Sequence, residues 1–147
     1  MCAGAPMDGG MSTYFSLPLR VYYEDTDSGG VVYYANYLKF MERARTEWLR
    51  SFGFEQYELS RRDGILFAVR SARVEYLKPA RFNDSLEVSV ILDKHGPASM
   101  VFQQEVRRGA EVLCTGEIKI ACLDAAGFSP VPIPEHIVSR IHSRSKP

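Results

Sequence analysis

The segment VYYEDTDSGG, residues 21–30, places the carboxylates Glu24, Asp25 and Asp27 directly before two glycines. A carboxylate can deprotonate water as a general base, or attack an electrophilic carbonyl carbon directly. It can also accept hydrogen bonds from nearby backbone N–H groups, which is how Asp commonly stabilises a turn. The residue types alone therefore leave a catalytic role and a purely structural role open.

Other kinds of site do not fit the spacing around these residues. An EF-hand loop needs oxygen ligands at alternating positions and a glutamate at the twelfth, but counting from Asp25 these positions include Gly29 and Asn36. The chain contains no GxGxxG, GK[ST], HExxH or GxSxG pattern. The three histidines lie far along the chain, in turn or terminal segments: His95, His136 and His142. We therefore expect no metal and no cofactor.

Composition restricts the class of protein further. The 147 residues suit one domain, and 18 basic against 18 acidic residues give no net charge, which argues against a nucleic-acid partner. Cys2, Cys114 and Cys122 are odd in number and form no CxxC pair, as expected for reduced thiols in a cytoplasmic protein. No stretch approaches the roughly 18 apolar residues of a membrane span, and the first residues lack a secretory signal.

A long helix is predicted immediately after the acidic turn, over residues 35–52. Its apolar side chains follow a three-and-four spacing: Leu38, Met41, Ala44, Trp48, Leu49 and Phe52. The predicted N-cap is Asn36 or a residue one or two positions earlier, and Gly53 is the stop signal. Because a helix start carries unpaired N–H groups and a partial positive charge, it can stabilise an oxyanion. A base beside such a donor is sufficient for an activated acyl group such as a thioester, whose thiolate leaves readily.

Period-two alternation predicts five strands, at residues 14–23, 64–77, 86–93, 99–106 and 112–124. Short helices are predicted at residues 56–62 and near the C-terminus, the latter with Ile137, Val138 and Ile141 on one side. Segregation of the long helix from the strands predicts an α+β fold with a five-stranded antiparallel sheet. One helix cannot cover such a sheet completely and leaves an edge open, so we expect a homo-oligomer, either a dimer or a dimer of dimers (a homotetramer).

Two blocks of sequence closely resemble the hot-dog-fold acyl-CoA thioesterases. These are RVYYEDTDSGGVVYYANYLKFMERARTEWL, residues 20–49, and VEYLKPARFNDSLEV, residues 74–88. The chain is similar to the Tol-Pal cluster-associated thioesterases and to the 4-hydroxybenzoyl-CoA thioesterase family, over about residues 17–135. The resemblance implies a sheet wrapped around one central helix, sites formed between two protomers, hydrolysis of acyl-CoA and a role in lipid metabolism.

The same resemblance assigns the chemistry. It implies that Asp27 is the catalytic carboxylate, as base or nucleophile, and that the backbone N–H of Tyr34 polarises the thioester carbonyl. Many of the most similar sequences carry histidine at the position of Tyr34. Asp25 is expected to fix the turn, and Gly30 and Val31 are expected to line the approach to the carbonyl. The mechanism requires Asp27 to face an enclosed crevice.

Further residues are candidates for binding the substrate. Lys78 and Arg81 would bind the phosphates of CoA, and both can equally be ordinary solvated charges. Tyr33 and Tyr37 would contact the acyl group, or pack as aromatic residues in the core or an interface. The alternatives to an acyl-CoA substrate are an acyl group on acyl carrier protein, and a non-catalytic acyl-binding or scaffold protein of the same fold.

We predict three segments along the chain. Residues 1–13 form a disordered N-terminal extension, residues 14–135 the hot-dog domain, and residues 136–147 a short C-terminal helix and tail.

Overall fold

A computed structural model describes residues 14–145 of the chain, and the predicted N-terminal extension lies outside these residues. The strands are β1 (Tyr14–Arg20), β2 (Ile65–Tyr76), β3 (Ser85–His95), β4 (Ser99–Arg108) and β5 (Glu111–Asp124). The helices are α1 (Asn36–Arg50), α2 (Gln56–Glu58, continued by a π turn over Leu59–Asp63) and α3 (Glu135–Ser145). Five strands with one long helix confirm the predicted α+β class.

The strands form one sheet in the order β1-β3-β4-β5-β2, with every neighbouring pair antiparallel. The sheet therefore has two edges, β1 and β2. From Val69 to Arg73 the side chains of β2 are all exposed, and Tyr76 and Leu77 at its end are exposed as well. A long edge strand with exposed apolar side chains is a site for pairing with another chain.

The helix α1 lies against the inner face of the sheet and buries the predicted apolar side. Its buried residues are Tyr37, Phe40, Met41, Ala44, Trp48 and Leu49. A Cβ placed on Gly116 of β5 would lie 2.7 Å from Met41 Sδ, so the glycine allows the helix to approach the strand closely. Leu38 is the exception to the predicted face, because it is exposed.

The structure corrects one predicted boundary at the acidic turn and narrows another. The first strand ends at Arg20 rather than at residue 23, because Tyr22 N–H donates to Asp25 Oδ2 (2.8 Å) and starts a 3-10 turn. The N-cap of α1 is Ala35, one residue before Asn36 and within the predicted range, so Asn36 is the first helical residue. The Asn36 side chain instead donates from Nδ2 to the carbonyl oxygen of Asp25 (2.9 Å).

The C-terminal segment forms the predicted amphipathic helix, α3, whose apolar side faces the rest of the domain. Ile137 and Ile141 are buried, and Nε2 of His142 lies 3.1 Å from Nε2 of His95 in β3. Among the helices of residues 14–145, none combines the length and the apolar composition that a bilayer crossing requires.

Candidate active site

The acidic turn and the start of α1 are joined by a tight hairpin. Asp27 N–H donates to the carbonyl of Val31 (2.9 Å), and Tyr33 N–H donates to the carbonyl of Asp25 (3.0 Å). Gly30 closes the bend by donating to the carbonyl of Asp27 (3.0 Å), with a φ of 81° that glycine adopts without the steric cost of a Cβ. The bridge between Thr26 and Val32 sets the register of this pair, so Asp27 lies opposite Val31 and Asp25 lies opposite Tyr33.

The two aspartates of this hairpin have different environments. Asp25 is half-buried, and its Oδ2 accepts the Tyr22 N–H described above, so the structure gives it the turn-fixing role. Asp27 is exposed, and its Oδ1 accepts a hydrogen bond from Gly29 N–H (2.9 Å). Within residues 14–145, Asp27 Oδ2 has no hydrogen-bond partner. One oxygen of Asp27 therefore holds the carboxylate in place while the other is available to a reactant.

Tyr34 lies two residues before α1 and presents an unused backbone donor. Its N–H bonds to none of the residues from 14 to 145, whereas the amides of Val32, Tyr33 and Asn36 are all hydrogen-bonded. The Tyr34 side chain is 60% exposed, and its ring contacts the rings of Tyr33 and Tyr76. An unpaired N–H at the start of a helix is suited to bind a developing negative charge.

The enclosed crevice expected at Asp27 is absent from the described part of a single protomer. Every residue from Asp27 to Gly30 is exposed, so this side of the hairpin faces away from the protomer's core. A cavity of about 220 Å³ lies farther along α1, between the helix and strands β2, β4 and β5. Its walls include Arg45, Trp48 and Phe102, and none of the predicted site residues.

The two predicted phosphate-binding residues lie in the segment that follows β2, and only one of them is engaged in an ion pair. Lys78 Nζ is paired with Glu111 Oε2 (3.0 Å), and Arg108 and Lys78 together hold the pKa of the Glu111 carboxyl below its usual value. The Arg81 side chain is exposed and has no partner within residues 14–145, while its backbone lies opposite Val31. Arg81 is thus available for an anion near the hairpin, and Lys78 is already engaged.

The two predicted aromatic contacts also differ. Tyr33 is exposed beside Tyr34. Tyr37 is 3% exposed and packs in the core, where its hydroxyl accepts a hydrogen bond from Ala80 N–H (2.9 Å). Burial raises the pKa of the Tyr37 phenol, which keeps it neutral. For Tyr37 the structure therefore supports the packing interpretation.

The buried cysteines of the sheet do not offer an alternative nucleophile. Cys114 is fully buried in β5, and this burial raises the pKa of its thiol to about 12. Burial also raises the pKa of Cys122. Because the thiolate is the nucleophilic form of cysteine, neither residue is activated for covalent catalysis.

Comparison with known proteins identifies the family. Residues 21–141 match the sequence profile of the thioesterase-like superfamily. The chain belongs to the thioesterase-like superfamily. The matched range begins just before the acidic turn and includes the whole hairpin, all of α1 and strands β2 to β5.

Individual members of the superfamily align with most of the chain. Acyl-CoA thioesterase YbgC of Haemophilus influenzae is 40% identical over 128 residues, which cover 87% of this chain and 94% of that protein. Acyl-CoA thioester hydrolase YbgC of Escherichia coli O6:H1 is 42% identical over 129 residues, covering 87% and 96%. The crystal structure of a probable thioesterase from Bartonella henselae matches with a TM-score of 0.78 and 31% identity, over 83% of this chain and 100% of that chain. The sheet and central helix are accordingly those of the hot-dog fold.

No sequence pattern indicated Arg108, which stabilises the segment that pairs with the hairpin. Arg108 donates to Asp84 Oδ2 (2.6 Å), to Glu111 Oε1 (2.9 Å) and to the carbonyl of Pro79 (3.3 Å), which fixes the segment that pairs with Val31. The second sequence block contained this segment. However, Arg108 lies 24 residues beyond Asp84, and no local pattern connects them.

Proposed function

We propose that this protein hydrolyses acyl-CoA thioesters to the free acid and CoA, with Asp27 as base or nucleophile and the Tyr34 N–H as oxyanion donor. One observation carries the proposal: a carboxylate oxygen without a partner and a backbone N–H without a partner occur on the same hairpin, within the described residues. The relatives of the family, which are named as acyl-CoA thioesterases, support the reaction class.

The reaction follows from these two groups. The thioester carbonyl oxygen accepts the Tyr34 N–H, and the exposed backbone at Gly30 leaves room for the substrate to approach. In one route Asp27 takes a proton from water while the water oxygen attacks the carbonyl carbon. The tetrahedral oxyanion then collapses, the C–S bond breaks, and CoA leaves as a thiolate that takes up the proton. In the other route Asp27 attacks the carbon and expels the thiolate, and water hydrolyses the resulting mixed anhydride.

The remaining parts of the substrate have candidate positions. Arg81 is the candidate for the CoA phosphates, because its guanidinium is unengaged within residues 14–145 and guanidinium groups bind phosphate oxygens in pairs. Val31 and Tyr33 flank the proposed carbonyl position on the hairpin. Lys78 would have to leave Glu111 before it could contribute to phosphate binding.

The test is the release of free thiol from a panel of straight-chain and aromatic acyl-CoA substrates. We expect turnover on at least one of these substrates without added metal or cofactor. The same acyl groups on acyl carrier protein form the second arm. Turnover only of the acyl groups on acyl carrier protein would contradict an acyl-CoA substrate and identify the carrier-bound thioester as the substrate. Binding of acyl-CoA without turnover in either arm would contradict hydrolysis and favour the scaffold alternative.

A second copy of the chain is proposed to complete the site. The exposed edge strand β2 and the exposed Asp27 support a dimer or dimer of dimers in the cytoplasm, where unpaired thiols such as Cys114 and Cys122 persist. Pairing would cover the apolar side chains of β2 and restrict water at the hairpin. Turnover of acyl-CoA would place the protein in lipid metabolism.

We predict that activity depends on assembly. On dilution, activity per chain should fall together with the fraction of dimer or tetramer, because a site between protomers is lost when they separate. The measurement is turnover against protein concentration, with mass photometry on the same samples. Constant activity per chain in a sample that is monomeric would contradict a shared site.

A further inference from the structure

Tyr37 is buried, and its side chain makes one hydrogen bond to the backbone. It lies in the first turn of α1, three residues after Tyr34. Its Oη accepts the N–H of Ala80 (2.9 Å), and Ala80 is 0% exposed. A buried N–H has no water to bond to, so the Tyr37 hydroxyl is the group that satisfies this donor.

Ala80 continues the connection toward the hairpin. Its carbonyl oxygen accepts the N–H of Val32 (2.8 Å), and Val32 is buried. The backbone N–H of Tyr37 also lies 3.3 Å from the carbonyl oxygen of Tyr34. Two hydrogen bonds through Ala80, which we call the Ala80 brace, thus link the first turn of the helix to the strand that leads into the Tyr34 amide.

We propose that Tyr37 is a positioning residue for thioester hydrolysis, acting through the Ala80 brace to hold the Tyr34 N–H on the reacting carbonyl oxygen. This inference rests on the proposed function. The Tyr34 amide has no hydrogen bond of its own within residues 14–145, so its direction is set by its neighbours in the chain. An oxyanion donor is effective because it is already oriented when the negative charge develops, and small displacements reduce the rate strongly.

The test is the variant Tyr37→Phe, which keeps the ring that packs against Phe40 and Tyr76 and removes only the hydroxyl. We expect kcat to fall by about 10- to 100-fold while KM changes by less than about threefold, since a misdirected donor affects mainly the transition state. The control is Tyr57→Phe in α2, outside the hairpin and the edge strand β2. It removes a hydroxyl that bonds to no residue within 14–145, from a ring that is 71% exposed. Its kcat should remain at the wild-type value.

Two further measurements separate positioning from general loosening of the structure. A ketone analogue of the best acyl-CoA substrate, with a methylene in place of sulfur and a ¹³C-labelled carbonyl, reports polarisation through its C=O stretching frequency when bound. In the wild type this frequency should lie below its value in solution, and in Tyr37→Phe it should return toward that value. Hydrogen exchange at the amide of Ala80 should become faster in Tyr37→Phe and remain slow in Tyr57→Phe.

The outcomes distinguish this inference from the function on which it rests. Wild-type turnover with an unchanged kcat and an unchanged carbonyl frequency in Tyr37→Phe would overturn the positioning role and leave the thioesterase proposal standing. Absence of turnover by the wild type on every thioester would overturn both. A parallel loss of kcat in Tyr37→Phe and Tyr57→Phe would also overturn the assignment, because the hydroxyl bonded to Ala80 would then have no special effect.

Discussion

Asp27→Asn is expected to lower kcat by about 10²- to 10⁴-fold without unfolding the protein, which is the range for loss of a positioned acid–base group. The amide oxygen of asparagine can still accept the hydrogen bond from Gly29 N–H, so the turn persists. An amide can neither take a proton from water nor attack a thioester. The measurement is thiol release at saturating acyl-CoA, together with circular dichroism and thermal melting of both proteins.

The control for this variant is Glu24→Gln, which neutralises a carboxylate of the same turn. Glu24 is exposed, and its side chain has no partner within residues 14–145. Its kcat should stay within about twofold of the wild type, as is usual for a surface substitution outside the site. Wild-type activity in Asp27→Asn would leave only the turn-stabilising role for Asp27.

The same enzyme preparation can separate the two chemical routes. If Asp27 is the nucleophile, acid quench during the first turnover should trap an acyl group on the peptide that contains Asp27, detectable by mass spectrometry. If Asp27 is a base, no acylated peptide forms, and the burst of thiol that precedes steady turnover is absent. The exposed Oδ2 has the freedom for either route.

Much of the fold could be predicted because hydrophobic periodicity reports directly which face is buried. The pattern from residue 99 to 106 gave β4, observed at Ser99–Arg108, and the three-and-four spacing gave α1. The errors occurred where a side chain controls the backbone locally. Asp25 ends the first strand by accepting the Tyr22 N–H, and the hydrophobic periodicity of the sequence does not indicate such a hydrogen bond.

The candidate site was predictable in part, since Asp27, Gly30 and Tyr34 lie within eight consecutive positions. Its support was not, because the hydrogen bond from Ala80 to Tyr37 joins residues 43 positions apart. The crevice expected at Asp27 is not formed by residues 14–145 of one protomer, in which Asp27 to Gly30 are exposed. A motif therefore predicts which chemical groups are present, whereas the orientation of those groups depends on contacts between distant segments.

Gln104→Leu should lower the free energy of unfolding by about 2–4 kcal/mol, from the loss of three hydrogen bonds, two of them buried, of roughly 1 kcal/mol or more each. Gln104 is 2% exposed in β4. Its Nε2 donates to the carbonyl oxygens of Met41 (3.1 Å) and Ser89 (3.2 Å), and its Oε1 accepts Arg45 Nη1 (2.9 Å). One side chain thus joins α1 to two central strands, and leucine would fill the space without replacing any of these bonds.

The effect should be large because Arg45 depends on this contact. Arg45 is half-buried, its burial lowers the pKa of the guanidinium, and Gln104 is the side chain that hydrogen-bonds it. The control is Gln103→Leu, the neighbouring residue, whose amide reaches the exposed carboxylates Asp93 and Glu117 (3.1 and 3.3 Å). We expect that control to change stability by less than about 0.5 kcal/mol. Urea unfolding at a constant m value measures both variants, and equal losses at the two positions would show that the buried network contributes no more than a surface contact.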